Sequence, residues 1–374
     1  MTKARISSFI FGLLLLTHES YTHGGYSHAS VSEVSDSAAD PVVHSMDVES
    51  SPVEAERAPI RPAPSSRPIL LNTRLERIAM GSCNMQRFSQ EYWNTILAQK
   101  PELWIWMGDI IYSDFLTVSL RKAEYNRLKN ETPYAIFRQN SMVIGTWDDH
   151  DFGKNNSDSS LPDKKENQKL LLDFLDEPQD SLRRQQQGVY TSYFFGAEGR
   201  LVQIVLLDDR YFRERPGPRA AFLGEAQWAW LERELLTPIT PAPELTLVVS
   251  GSQVLASEHP HDRWSQYPAE YLRLKKLLQQ SSRRVLLMSG DRHFSEVTRS
   301  EWNEPRALWD YTVSGLTHSS PSRAEELNSR RVGRAVTSKN FGMLRLNWSQ
   351  TPVGVTLENW STEGDLLESW DLPY

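Results

Sequence analysis

A single cysteine, Cys83, stands in 374 residues, so no disulfide framework can form within the chain. Positive charge is not in excess either. The formal net charge is −7, which argues against a nucleic-acid-binding surface, whose footprint is a basic patch. Beyond the first residues no apolar run approaches the ~20 residues that a bilayer-crossing helix needs. Aromatic residues are missing between Ser27 and Arg87, and up to about Pro68 the chain is rich in Ser, Ala, Pro and acidic residues. Such a stretch cannot bury enough apolar area to offset the entropy of ordering it. Residues 24–70 are therefore expected to be a disordered leader, and the scattered His18, His23, His28 and His44 incidental to it.

The first residues have another character. Lys3 and Arg5 precede an apolar run from Ile6 to Leu16, too short to span a membrane. A basic start before a short apolar stretch is the pattern of a secretory signal. Residues 1–23 are expected to be a signal peptide, placing the protein outside the cell or in the secretory lumen; left uncleaved, the same run would be an anchor. Sequons begin at Asn130, Asn155, Asn347 and Asn359, open to glycosylation in a eukaryotic secretory pathway.

From residue 75 to 374 the composition is that of one folded domain, expected to be monomeric. Twelve Trp in the chain promise a large, well-packed core. Short apolar runs, each ending in a polar turn, predict strands at Arg77–Gly81, Leu103–Met107, Met142–Thr146, 201–207, Leu245–Ser250 and Val285–Ser289. Apolar residues at helical spacing predict helices over 89–99, 224–236 and 269–279. Near-alternation over 343–348, 353–360 and 366–372 predicts a C-terminal β-meander. Strands followed by helices, then consecutive strands, make a layered α/β sandwich.

Polar residues gather where the predicted strands end, the place where open α/β sheets bind ligands. GSCN (81–84) follows the first strand, GDIIY (108–112) the second, WDDHDFGKNN (147–156) the third and GDRH (290–293) a later one. Asp109 alone could be a helix cap. Asp148, Asp149, His150 and Asp151 are harder to explain that way, because consecutive carboxylates at a strand end repel one another unless cations lie between them. Cys83, Asp109, Tyr112, Asp149, Asn155, Asp291 and His293 together offer S, O and N donors. That set is too large for one closed tetrahedral zinc site and suits two or more ions. The oxygen donors suit iron(III), manganese or calcium, and the thiolate a softer or redox metal; zinc stays open.

At these residues the sequence resembles the PhoD-like (alkaline phosphatase D) phosphatases of the calcineurin-like and purple acid phosphatase superfamily. LLDDRYFRER (206–215), DRWSQYPAEYLRLKKLL (262–278) and MSGDRHFSE (288–296) extend the match, which covers about residues 76–320. The resemblance implies an α/β/β/α sandwich and a phosphoesterase with iron(III) and calcium. Asp109 would bridge two metals, Tyr112 and Cys83 would serve the first, Asp149 and Asn155 the second, with Asp291 and His293 completing the shell. Whether Asp148 or Asp149 is the inner ligand stays open. His150 would face the substrate. DDH and GDRH stand where the wider superfamily has GNH and GHxH, and Asp209 stands where this family more often has Thr.

Two metals about 3.5–4 Å apart could clamp the attacking and leaving oxygens of an in-line displacement by a metal-bound hydroxide. His150 could hydrogen-bond a phosphoryl oxygen or protonate the leaving alkoxide. Arg210 and Arg292 are candidates for phosphate contact, against the alternative of ion pairs with neighbouring Asp residues. His259 and His261, and likewise His318, could line the cleft mouth and touch a leaving group, but are read first as loop residues. The substrate is a small-molecule or lipid phosphate ester, mono- or diester. A secreted binding protein stabilised by metal, without catalysis, is the rival from another class.

Overall fold

The computed structural model describes residues 66–373 apart from 198, 304 and 305. The expected signal peptide, and the expected leader up to residue 65, lie outside the described residues. Arg67 already donates its backbone N–H to the Arg138 carbonyl at 2.7 Å.

Two sheets form the centre. The first takes β1 (Arg77–Gly81), β2 (Leu103–Met107) and β3 (Met142–Thr146), parallel to one another. The second holds β4 (Thr191–Phe195), β5 (Val202–Leu206), β6 (Leu245–Ser250), β7 (Val285–Ser289), β8 (Ser295–Asn303), β9 (Arg306–Val313) and β10 (Arg331–Val336). Its order is β10-β8-β9-β7-β6-β5-β4, with β5, β6, β7 and β9 parallel. The C-terminal meander is β11 (Asn340–Asn347), β12 (Gly354–Ser361) and β13 (Leu366–Asp371). It extends the first sheet, because β11 pairs antiparallel with β1, Met80 opposite Gly342.

Side-chain alternation builds the layers. Ile78 and Met80, Ile105 and Met107, and Ile144 face inward against Ile204, Leu247, Val249, Leu286 and Met288 of the second sheet. Ala79, Trp104, Trp106 and Val143 face outward. They are covered by α1 (Tyr92–Ala98), α2 (Val118–Asn130) and α3 (Thr132–Asn140), together with Leu170 and Leu171 from further along the chain. On the other side Val205, Val248 and Leu287 are covered by Trp228 and Leu231 of one helix (Glu225–Leu236) and Leu274 and Leu278 of another (Pro268–Gln280). The result is the α/β/β/α sandwich. Trp93 of α1 packs edge-on against Trp104 and Trp106, ring centroids 4.8 and 5.3 Å away. Emptying such a position costs about 3–5 kcal/mol, so these rings anchor β2 against α1. Among the sequons, Asn359 is buried, so the folded chain closes it to a glycan.

Candidate metal centre

The parallel strands of both sheets end at one edge of the sandwich, and their polar turns meet there. Cys83 follows β1, Asp109 follows β2, Asp148 to His150 follow β3, Asp291 and His293 follow β7, and His318 follows β9. Cys83, Asp109, Asp291 and His293 all have left-handed backbone, φ 60°, 49°, 70° and 58°. This conformation is uncommon for residues with a Cβ, costs on the order of 1–3 kcal/mol each, and persists only where the surroundings hold it. Of these four, Cys83 and His293 converge on Asp109 in one donor group and Asp291 converges on it in another.

Three overlapping groups result, each with ligand atoms within 4.8 Å of one another: Cys83, Asp109 and His293; Asp109, Asp149 and His150; Asp109, Asp148, Asp149 and Asp291. Asp109 is common to all three. The Cys83 Sγ lies 3.4 Å from Asp109 Oδ2 and 2.9 Å from Ser314 Oγ. Tyr112 joins from the rim, its hydroxyl 3.0 Å from Nε2 of both His293 and His318, and the two imidazoles are 3.3 Å apart at those nitrogens. His318 is thus a fourth neighbour of this half of the site rather than the loop residue the sequence suggested. Its position follows from the end of β9, a strand that the apolar pattern did not single out.

Charge dictates what the cluster can hold. Burial, with Asp149, Asp151 and Asp291 nearby, pushes Asp109 well above the usual carboxylate range although His150 opposes it. Burial and then Asp149 push Asp291 up to about 6. Burial, then Asp109, pushes the Cys83 thiol up. Asp149 goes down despite burial, because Arg210, His150 and the Asn156 N–H outweigh it. Asp148 Oδ2 is buried with no hydrogen-bond partner among the described residues. Buried carboxylates and a thiol with an orphaned oxygen are the environment a multivalent cation stabilises, and cations would return these groups to their charged forms. The donors therefore fit more than one ion.

His150 stands at the mouth. Its Nδ1 is 2.5 Å from Asp114 Oδ2, and its ring lies 4.1 Å from that of Tyr112. Burial lowers the imidazole's proton affinity, but Asp149, Asp109 and Asp114 outweigh it and push the pKa up to about 10. His150 also falls within one of the donor groups, so a ring nitrogen reaches the carboxylates as well as the mouth. Asp114 was not picked out in the sequence. It lies two residues beyond GDIIY, in a turn without apolar pattern.

The remaining candidates separate. Asn155 is exposed on the rim, held by its backbone N–H to Asp114 Oδ1 at 2.5 Å. Arg210 is fully buried and paired with Asp148 at 2.6 Å and Asp262 at 3.1 Å. This is the ion-pair alternative, and a guanidinium so locked does not reach a phosphate. Arg292 is buried too, but among the described residues it pairs with Glu326 through Nη2, and its Nε and Nη1 have no partner there. Asp209, the departure from the family pattern, pins the turn after β6 by accepting from Ser250 Oγ and the Ser252 N–H.

The family model for PhoD-like phosphatases matches residues 78–353. The chain belongs to the PhoD-like phosphatase family. Solved structures agree in fold. The structure of PhoD aligns with a TM-score of 0.57 at 14% identity, covering 79% of this chain and 72% of that one. A purple acid phosphatase from yellow lupin (Lupinus luteus) seeds aligns with a TM-score of 0.57 at 12% identity, covering 82% of this chain and 55% of its own length. A dimetal phosphatase from Danio rerio gives 0.51 at 13% identity, covering 81% of this chain and all of that one (100%). No curated protein sequence matches the chain. Membership in the PhoD-like family, with the candidate donor clusters, supports a metal-dependent phosphoesterase.

Proposed function

We propose that the chain hydrolyses phosphate esters, monoesters or diesters of small-molecule or lipid type, at a centre of two or more metal ions. The observation that carries this reading is the sharing of Asp109 among three donor groups, as a carboxylate between two cations would be shared. Cys83, Tyr112 and His293, with His318 beside them, would hold one ion; Asp149 and Asp291, with Asp148 behind Asp149 and Asn155 at the rim, would hold the other. The resemblance to the PhoD-like family points to iron(III) with calcium, and the donor set also admits manganese or zinc. Bound there, the ions would supply neutralisation of phosphoryl charge and a more acidic water.

The chain's own residues do the rest. Asp114 takes the Nδ1–H of His150 and fixes the ring, so that the other nitrogen can give its proton to the leaving oxygen. Arg210 holds Asp148 in place and opposes the rise that burial imposes on its carboxyl. The β-strand termini hold the donors rigidly, so little reorganisation is needed when the ester binds. Export through residues 1–23 belongs to the same proposal.

The test is turnover of p-nitrophenyl phosphate and bis(p-nitrophenyl) phosphate with and without chelator. Hydrolysis of at least one ester that stops on chelation and returns with added metal is expected, and the preferred ester separates monoesterase from diesterase. Turnover indifferent to chelation would refute the metal-dependent reading.

A further inference from the structure

Beside the centre, on the far edge of the His293 ring from Tyr112, lies a second cluster that the mechanism above does not use. Arg323 Nη1 is 3.5 Å from His293 Nδ1. Arg292, on the same turn as Asp291 and His293, is only 1% exposed and leaves two guanidinium nitrogens unpartnered. His259 is only 3% exposed, and both of its ring nitrogens are unpartnered among the described residues. Burial, then Arg292, Arg263, His261 and Arg323 around it, push this imidazole down to about 2. It is a neutral donor among cations.

Of the carboxylates that act on Arg292, Asp291 belongs to the donor cluster of the metal centre and Glu296 is paired with Arg331. Asp262 is turned to Arg210 and Arg213, at 3.1 and 2.7 Å. The carboxylate that does enter is Glu326, which accepts from Arg292 Nη2 and lies 2.8 Å from His261 Nε2. Its side chain keeps 21% of its exposure, so it can swing to water. Its backbone stays put, because Arg331 Nη1 and Nη2 hold the Ala324 and Glu326 carbonyls at 2.9 and 3.2 Å, and Ser329 N–H reaches Glu258 at 2.6 Å. A buried guanidinium with two free N–H edges is costly unless an oxyanion completes it.

We propose that Arg292 and Arg323, with His259 and His261, form a second anion subsite that takes a carboxylate or phosphate carried on the substrate's leaving group, displacing the side chain of Glu326. The substrate class is then a phosphate ester with a further anionic group. The inference rests on the phosphoesterase reading, since only then does a leaving group extend along this side of His293.

Equilibrium binding tests it without turnover. The full metal-loaded protein is titrated calorimetrically with propylphosphonate, phosphonoacetate and 3-phosphonopropionate, which differ in the presence and reach of a second anion. One or both carboxylated phosphonates should bind at least about tenfold tighter than propylphosphonate, the worth of one charge-assisted contact. Arg292→Met and, where that variant fails to fold, Arg323→Met should each cut this ratio below about threefold, while Glu326→Gln should raise it by weakening the internal competitor. 1,3-Propylenediphosphonate, with a second phosphonate in place of the carboxylate, should show a comparable or larger gain where the subsite takes a phosphate-like oxyanion. Equal binding of phosphonates with and without a second anion, or a ratio unmoved in Arg323→Met, overturns the subsite alone. If no phosphonate binds at all, the phosphoesterase reading falls and the subsite falls with it.

Discussion

Asp114 Oδ2 lies 2.5 Å from His150 Nδ1, while Asp114 Oδ1 takes the backbone N–H of Asn155 at the same distance. One carboxylate thus orients the proposed acid and ties down the loop at the mouth. Replacing Asp114 with Asn keeps the shape and removes the charge. The expected outcome is a fall in kcat of about 10–100-fold with metal content unchanged, the usual cost of losing an orienting partner. The sign of the pH effect follows. The Asp114 anion raises the His150 pKa, so its removal lowers it, and the protonated form is lost at lower pH. The alkaline limb of the kcat profile should move to lower pH. An unchanged limb would take the proton from His150.

The carboxylate cluster makes a prediction about stability. Burial holds Asp291 at about 6 and Asp109 and Asp148 well above their usual range in the metal-free chain. A folded-state pKa above the unfolded one means that the folded chain binds more protons between the two values. Stability should therefore fall as pH rises from about 4 through 6 and beyond in chelated protein. Added metal should remove most of that loss, read as melting temperature against pH with and without chelator.

Arg210→Met should damage the fold before it damages substrate binding. The substitution leaves Asp148 and Asp262 without their buried partner. Breaking a buried pair from one side costs about 3–5 kcal/mol. Denaturant unfolding measures it, and a loss under about 1 kcal/mol would mean that the pair is not buried in solution.

Gly108→Ala tests the turn that delivers Asp109. Gly108 sits at φ +92°, and a Cβ there would lie 2.4 Å from Asp148 Cβ and 2.8 Å from Asp148 N. Both the backbone and the close approach of the β3 turn forbid a side chain. The variant should lose metal affinity even if it folds, as inductively coupled plasma analysis would show.

The frame was legible because its signal is local. Runs such as LWIWM and VLLMS end in polar turns, and the structure places those strands where the runs lie. The meander's alternation was equally plain, yet its place beside β1 was not, because the Met80–Gly342 pairing joins distant segments and leaves no local pattern. Cys83, Asp109, Asp149, His150, Asp291 and His293 were found as strand-end clusters, and the structure brings their ligand atoms together. Asp114 and His318 escaped, since a lone Asp or His in a turn carries no spacing to read. The Arg210 pairing stayed open for a related reason: Asp148 and Asp262 are remote in sequence, and only the buried geometry chooses between substrate and ion pair.

The central claim is that these buried donors hold at least two cations used in hydrolysis. Element analysis of the purified protein tests it most directly, with ester turnover followed through chelation and metal return in wild type and His150→Ala. The account predicts two or more ions per chain, turnover lost with them and restored by them, and a His150→Ala protein that keeps its ions but not its rate. Folded protein that holds no metal and cannot be reconstituted would contradict it.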